Sequence, residues 1–349
     1  MSFQQWDPTN EPIRPGLYIN YVKAAEAQIT GGARGIVALP LMKYSGTAET
    51  GKFYTVESEQ DAVELFGLAN IQSIRFALQG GAQQVLVYTM PNEPTAEDYN
   101  KMRDEFEARP FNVFVYDGEV DSSEQMATLT WLDRCRTEAK KHFFFVTGGS
   151  AEDDQDIKAG NSRSTLFADD YVINLVSGVV IGNKEYSSGQ FAPYIAGLVA
   201  GTPINRSITY TQVRVDDVTK RFKHSEIVSA LEAGSLVLVH DGEKVKVEQG
   251  LTTSGDKIRK VSGRQAISTD IEKIARDQYI GKLDNNEAGQ MTLISAIKAY
   301  LETLANENVL ENPVVELDPN RPSIGDKVYV NVSYTELDSM ERIFITVNI

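Results

Sequence analysis

The chain is poor in the residue types from which many catalytic and extracellular sites are built. It has one cysteine, Cys135, so no disulfide can form within the chain and nothing indicates an oxidising compartment. It has three histidines, at His142, His224 and His240. None of them stands beside a Gly-x-Ser-x-Gly elbow or a comparable nucleophile motif, which argues against a serine protease.

Signals for secretion, membrane insertion and cofactor binding are also missing. The first eight residues lack a basic region and an apolar core, and no apolar run approaches the ~20 residues of a membrane helix. The glycines at 148–149 and 178–182 complete neither a phosphate-binding nor a dinucleotide-binding motif, and the acidic run 152–156 lacks EF-hand spacing. We therefore predict no catalytic residue, no cofactor and no metal site, and a protein that is not an enzyme.

Basic residues are too few to balance the acidic ones. There are 34 lysines and arginines against 49 aspartates and glutamates, and the net charge is -15. This balance disfavours direct binding to nucleic acid, which requires cations to neutralise phosphates. The hydrophobic share of 42% is that of an ordinary folded chain, and 349 residues suffice for about two to three domains. We expect a protein that stays in a reducing cytoplasm until it is released.

Hydrophobic periodicity predicts an α/β (α+β) fold. Strand and helix patterns alternate from residue 92 to about 240, which favours a parallel or mixed sheet covered by helices. Residues 29–91 are rich in short strand patterns. Residues 257–261 resemble a further strand, and helices are predicted at 268–281 and 287–308. Alternating apolar residues between 328 and 334 predict a strand near the C-terminus.

Strand patterns also occupy both ends of the chain. The first comprises Leu17, Tyr18, Ile19, Asn20, Tyr21 and Val22; the second comprises Ile343, Phe344, Ile345, Thr346, Val347, Asn348 and Ile349. The second carries no charge, although unpaired strand edges are usually protected by charge or proline. Each terminal strand can fold back onto its own subunit or pair outside it, and periodicity leaves both open.

Six short stretches occur in a fixed order along the chain. They are residues 33–37, 170–176, the Ala-Gly-Leu-Val-Ala-Gly-Thr-Pro run at 196–203, residues 207–210, residues 271–282 and residues 338–343. In this order they resemble the contractile phage tail sheath family. The resemblance extends from about residue 15 to residue 349. It is closest to the short sheaths of myophages, defective prophages and tail-like bacteriocins of Gram-positive bacteria.

The resemblance implies a division of the chain into parts. It implies an N-terminal extended arm at 1–24, an outer β-sandwich region at 25–91, a subtilisin-like α/β core at 92–245 and a C-terminal α+β domain with its own arm at 246–349. The two terminal strands would be arms that pair with neighbouring subunits. Head-to-tail contacts that do not close into a ring build helical filaments.

The same resemblance implies a function and a set of partners. The subunit would polymerise helically around an inner tail tube in a metastable extended state, and contract to drive the tube through a target envelope. Its partners would be other copies of itself, the inner tube protein, and baseplate and tail terminator proteins, with neither direct nucleic-acid binding nor membrane insertion. Assembly would occur in the host bacterial cytoplasm, and the product would be a virion tail or a released tail-like particle.

Two other classes of function remain as alternatives. Another oligomeric tail or baseplate component is one, although tube proteins are usually far shorter β-barrels. An α/β hydrolase-like enzyme is the other, and the missing catalytic constellation argues against it.

A basic stretch stands out in this acidic chain. It consists of Lys257, Arg259, Lys260 and Arg264. We hypothesise that this stretch, or the helix predicted at 268–281, faces an acidic surface of the tube. The alternative is an exposed, solvated hairpin.

Overall fold

A six-stranded sheet forms the centre of the protein. The structure is a computed structural model that describes residues 34–348. The strands of the sheet are β1 (Ile36–Leu41), β2 (Phe53–Val56), β3 (Gln84–Thr89), β4 (Val113–Val115), β5 (Phe144–Thr147) and β6 (Val172–Asn174). Their order across the sheet is β2-β3-β1-β4-β5-β6. All neighbours pair in parallel except β2, which lies antiparallel to β3 at one edge.

Six helices accompany this sheet in the chain. They are α1 (Glu59–Phe66), α2 (Gln72–Gly80), α3 (Ala96–Glu107), α4 (Ser122–Thr137), α5 (Ile157–Phe167) and α6 (Ser188–Gly201). Five of them begin after an N-cap residue whose side chain accepts a hydrogen bond from a backbone N–H of the first turn. These N-caps are Ser58, Thr95, Asp121, Asp156 and Ser187. The helix and strand alternation predicted from residue 92 onward is therefore confirmed.

The β-sandwich region expected at 25–91 is wrong for the part that the structure describes. Residues 36–89 contribute β1, β2 and β3, and these pair in the same sheet as β4, β5 and β6. The reason lies in β1, the Ile-Val-Ala-Leu-Pro-Leu strand, which is buried along nearly its whole length. A strand that is apolar on both faces requires cover on both faces, which helices provide in parallel sheets.

Smaller elements follow the central sheet. They are β7 (Val179–Ile181), β8 (Lys184–Tyr186), β9 (Gln212–Val213), β10 (Asp217–Val218), α7 (His224–Glu232), β11 (Leu238–His240) and β12 (Val245–Val247). The strands form two three-stranded sheets with the orders β10-β7-β8 and β11-β12-β9. Single bridges and loop hydrogen bonds, such as Leu236 N–H to the Asn174 carbonyl at 2.9 Å, join this region to β6.

The C-terminal part has its own hydrophobic core. Its elements are α8 (Ile258–Ile274), a π-helical turn (Ala275–Tyr279), α9 (Glu287–Asn306), β13 (Leu310–Leu317) and β14 (Val330–Glu336). Buried residues of α9, such as Ile297 and Leu301, pack with Ile267 of α8 and Val315 of β13. The helix predicted at 287–308 and the strand predicted near 328–334 are confirmed.

The strand expected at 257–261 is wrong, because these residues begin helix α8. Ile258, Val261 and Gln265 are buried, and their spacing of three and four residues is that of one helix face. A window of five residues is too short to distinguish that spacing from strand alternation. The solvated hairpin considered as an alternative is excluded for the same reason.

Helix α6 crosses α2 at very short range. A Cβ atom placed on Gly197 would lie 2.0 Å from the Ala77 carbonyl oxygen, and one on Gly201 would lie 2.1 Å from the Gly81 carbonyl oxygen. On α2, a Cβ on Gly80 would lie 2.2 Å from the Tyr194 carbonyl oxygen. The Ala-Gly-x-x-Ala-Gly run at 196–201 is therefore a packing motif that lets two helix backbones touch.

Candidate functional site at the C-terminal segment

The carboxyl edge of the central sheet is where open α/β sheets usually bind ligands. Here its polar groups bind one another and the backbone. Ser188 Oγ accepts from Gly149 N–H at 2.7 Å, and Asp154 accepts from Ser188 N–H at 2.6 Å. Asp153 pairs with Arg163 at 3.1 Å. The acidic run at 152–156 thus supports the start of α6 and a cap of α5.

Cys135, His240 and His142 lie in surroundings that indicate a structural role. Cys135 is buried, and burial raises the pKa of its thiol to about 12, which keeps it protonated. His240 Nδ1 accepts from Gly242 N–H at 3.0 Å in a turn, and the His142 ring lies 5.8 Å from that of Tyr171. In the part of the chain that the structure describes, no cluster of three or more histidine, cysteine or acidic residues is arranged to hold a metal. No helix between residues 34 and 348 is long and apolar enough to cross a membrane.

Burial of Asp154 makes stability depend on pH. Burial raises the pKa of this carboxyl to about 6, against 3.8 for an ordinary aspartate, although Ser188 donates to it. The folded chain therefore binds this proton more tightly than the unfolded chain. The contribution of Asp154 to the free energy of unfolding grows as pH falls from about 7 towards 4, and is lost as pH rises through 6.

The variant Asp154→Asn is expected to remove this dependence. Asparagine keeps an oxygen acceptor for Ser188 N–H and carries no charge, so the free energy of unfolding at pH 8 should rise by about 2 kcal/mol. The gain over the wild type should shrink towards pH 5. Urea denaturation of both proteins at pH 5, 6, 7 and 8 measures it. A difference that is constant over this range would contradict the assignment.

The C-terminal segment, residues 343–348, forms no strand within the chain. It has no regular secondary structure. Ile343, Phe344, Ile345 and Val347 are 73%, 91%, 80% and 75% exposed. A contiguous apolar surface of this kind marks an interaction site. Ile349 and the N-terminal strand of residues 17–22 lie outside the described residues.

The sheet formed by β13 and β14 lies just before this segment in the chain. It has two antiparallel strands, and between residues 34 and 348 no third strand pairs with it. Val314, Leu317 and Val332 are partly exposed on it. A two-stranded sheet is marginal by itself, and its free edges offer backbone groups to further strands.

The residues immediately before the C-terminal segment are held in place. We call residues 336–341 the root. Within it, the Glu341 side chain is 8% exposed, and its carboxylate accepts from the side chains of Ser207 at 3.1 Å, Thr209 at 2.8 Å and Gln249 at 2.8 Å. The Lys257 ammonium also donates to it. Burial lowers the pKa of Lys257 from its usual value.

The other three residues of the basic stretch bind the root as well. Arg264 pairs with Glu336, which holds the pKa of the guanidinium above its usual value, and with Asp256 at 2.8 Å. Lys260 lies 3.6 Å from Asp338, and Arg259 donates to Ser339 Oγ at 2.8 Å. We call Lys257, Arg259, Lys260 and Arg264 the basic clamp. All four were predicted as tube-facing residues, and the structure places them against the root of their own chain.

The structure thus brings together residues that the sequence presents far apart. Residues 207–210 and 338–343 were noted only as separate parts of a family resemblance, and they meet at Glu341. Gln249 was missed, because a single glutamine between a strand and a loop carries no pattern.

Comparisons with known proteins agree with this architecture. The family model described as phage tail sheath protein central domain matches residues 92–253, and the one described as phage tail sheath C-terminal domain matches residues 253–349. A tail sheath protein of Clostridium phage phiCD119 is 26% identical over 323 residues, which cover 86% of this chain and 83% of that protein. The chain belongs to the phage tail sheath family, and it is a structural protein, not an enzyme.

Solved structures share the fold at low sequence identity. A sheath tail protein from Desulfitobacterium hafniense superposes with a TM-score of 0.72 at 18% identity, covering 92% of this chain and 100% of the other. The helical sheath of the anti-feeding prophage in its contracted state gives a TM-score of 0.73 at 14% identity, covering 97% and 99%. The α/β fold is therefore that of tail sheath proteins.

Proposed function

We propose that this sheath protein polymerises helically around an inner tail tube, and that its C-terminal segment joins subunits by adding a strand to a neighbour. The observation that carries the proposal is the state of residues 343–348. They are mostly apolar and exposed, and within residues 34–348 they pair with no strand, while the β13–β14 sheet has no third strand among the same residues. A strand added to such an edge gains hydrogen bonds from its backbone and specificity from alternate side chains.

The energetics favour exchange over exposure. Burying a side chain the size of isoleucine or phenylalanine is worth about 1.5–3 kcal/mol. Ordering the backbone of the segment costs about 1–2 kcal/mol per residue. The free energy gained by burying the four apolar side chains is of similar size, so binding becomes favourable only when the backbone also forms hydrogen bonds. A neighbour's sheet edge supplies that pairing. Solvent supplies no apolar contact, so an isolated subunit leaves the segment unsatisfied.

Similar proteins support a proposal about the wider setting. The anti-feeding prophage relatives are described in a helical sheath and in a baseplate. For this chain we propose the same kind of setting: contact with a tube, a baseplate and a tail terminator, assembly in the bacterial cytoplasm, and final residence in a virion tail or tail-like particle. A kinetic barrier would hold the sheath in its extended state, and contraction would release the stored energy.

Electron microscopy of negatively stained protein tests the proposal. The purified full chain, alone and with its tube protein, is expected to form striated hollow tubes in at least the second sample. Compact particles in both samples would overturn the proposal.

Tube contact by the basic clamp remains a prediction. The alternative part of that hypothesis, contact through the helix predicted at 268–281, has more support. The clamp cations already bind the root of their own chain. By contrast, the region from the end of α8 onward exposes Arg276, Ile280 and Leu283. We propose that residues 268–281 provide the contact with the tube.

The variant Ile280→Asp is expected to keep the fold and lose recruitment to the tube. Ile280 is 68% exposed, so the change adds a charge at little cost to the folded subunit. Cosedimentation with preformed tubes measures recruitment, and Leu68→Asp, at a similarly exposed position near α1, is the matched control. Equal cosedimentation of both variants and the wild type would contradict a tube-facing role.

A further inference from the structure

We infer that Lys257 of the basic clamp, together with three donors from neighbouring loops, pins Glu341 so that the C-terminal segment leaves the subunit at a fixed residue and in a fixed direction. The clamp itself is a property of the single chain. Its consequence for assembly rests on the proposed strand exchange, in which it would set the register of the added strand.

The root is held by polar contacts and not by apolar packing. Met340, next to Glu341 in the root, is 91% exposed, and no residue between 337 and 342 is buried as a whole. The Glu341 side chain alone penetrates the surface. It receives four donors, two on each carboxylate oxygen, from a loop after α6, a loop after β12 and the start of α8.

A buried carboxylate with this many donors allows only one residue of the root, Glu341, to occupy the site. Removal of one partner of a buried ion pair leaves the other charge uncompensated, which is strongly unfavourable. Sliding the root by one residue would bring Met340 or Arg342 to the place of Glu341, and neither supplies an acceptor for Lys257, Ser207 and Thr209. The chain is therefore fixed at residue 341 and free from residue 343.

A fixed residue next to a free strand determines register. Side chains alternate along a strand, so a slip of one residue turns every side chain to the opposite face. In a strand formed by the C-terminal segment, one face would carry Ile343, Ile345 and Val347. The other face would carry Phe344, Thr346 and Asn348. Because Glu341 is two residues from Ile343, pinning it selects which set meets the sheet of the neighbour. Lys257 and Glu341 are positioning residues in this scheme.

Spin labelling of the unassembled chain tests the clamp directly. A nitroxide at Met340→Cys reports the root, and one at Val347→Cys reports the free segment; the buried thiol of Cys135 should not react with the label. The label at 340, although exposed, is expected to follow the fixed backbone of the root in the wild-type background and to move several-fold faster with Lys257→Met. The matched control Lys298→Met removes an exposed cation from α9 and should leave the spectrum unchanged.

The label at 347 should move fast in every background. Equal mobility at 340 with and without Lys257 would overturn the clamp. If Lys257→Met fails to fold, Glu341→Gln gives the same test, because glutamine keeps the acceptor for the hydroxyls and removes the charge. Loosening at 340 in that variant supports the clamp, and an unchanged spectrum overturns it.

Assembly of the same variants separates this inference from the proposed function. Loss or disorder of tubes with Lys257→Met, alongside normal tubes with Lys298→Met, supports the register role. Normal tubes from a variant whose root is mobile would overturn that role. If the wild type forms no tubes while its root is hindered, the proposed strand exchange fails and the clamp stands.

Discussion

A chain that ends at Arg342 is expected to fold normally and to form no tubes. The truncation removes only residues 343–349, and those that the structure describes are exposed and make no regular backbone contact with residues 34–342. Thermal unfolding should therefore change little, by less than about 0.5 kcal/mol, as for other exposed surface changes. Polymerisation should be lost, because the strand that joins neighbours is gone. Negative-stain microscopy of both chains at equal concentration measures the result.

Paired substitutions within the segment provide a sharper version of the same experiment. Ile345→Asp with Val347→Asp places two charges on the apolar face of the added strand, and Thr346→Asp with Asn348→Asp places the same two charges on the other face. The first pair should abolish tubes and the second should weaken them far less, since a buried unpaired carboxylate is much more costly than an exposed one. Tubes from the truncated chain would keep the sheath assignment and refute a joining role for the segment.

The terminal strand shows what periodicity can and cannot predict. Alternation at Ile343, Ile345 and Val347 predicts a strand with an apolar face, and this stays a prediction because the segment forms no strand among the described residues. It carries no information on which sheet edge receives that face, since pairing in the own chain and pairing with a neighbour require the same pattern. Between residues 34 and 348, the C-terminal segment pairs with no strand of its own chain.

Long helices with a clear stripe were predicted well. In α9, buried Ile294, Ile297, Leu301 and Leu304 repeat at helical spacing over 20 residues, and the predicted range differs from the observed one by two residues. The start of α8 was missed because its charged residues interrupt the stripe. Lys257, Arg259 and Lys260 suggested a surface strand, although their charges are matched by the root of the C-terminal segment.

The contacts of Glu341 could not be predicted from the sequence, for a physical reason. Ser207 and Glu341 are 134 positions apart, and their contact depends on how α6, β12 and α8 are placed around the central sheet. Each residue by itself is an ordinary polar residue in a loop. The basic stretch did signal a charged partner, and the acidic residues of the root were present in the sequence, but no local pattern linked the two.

The variant Gly197→Ala is expected to be severely destabilised. A single added methyl group would lie 2.0 Å from the Ala77 carbonyl oxygen and 3.0 Å from its Cα, which are backbone atoms that cannot turn aside. Helices α2 and α6 would have to separate, and α6 is buried along almost its entire length against the central sheet. The expected loss in the free energy of unfolding is about 3 kcal/mol, at the upper end for overpacked cores. Urea denaturation of the soluble subunit measures it.

Gly263 of α8 provides the matched control. A Cβ atom there would lie 3.4 Å from Val309 Cγ1 and would touch no backbone, so alanine fits. Since glycine within a helix costs about 0.5–1 kcal/mol relative to alanine, Gly263→Ala should be neutral or slightly stabilising. The two variants make the same chemical change in helices of similar length, and they are expected to differ by more than about 3 kcal/mol in stability. Similar stabilities would mean that the two helices can move apart, and that the Ala-Gly-x-x-Ala-Gly run serves something other than close packing.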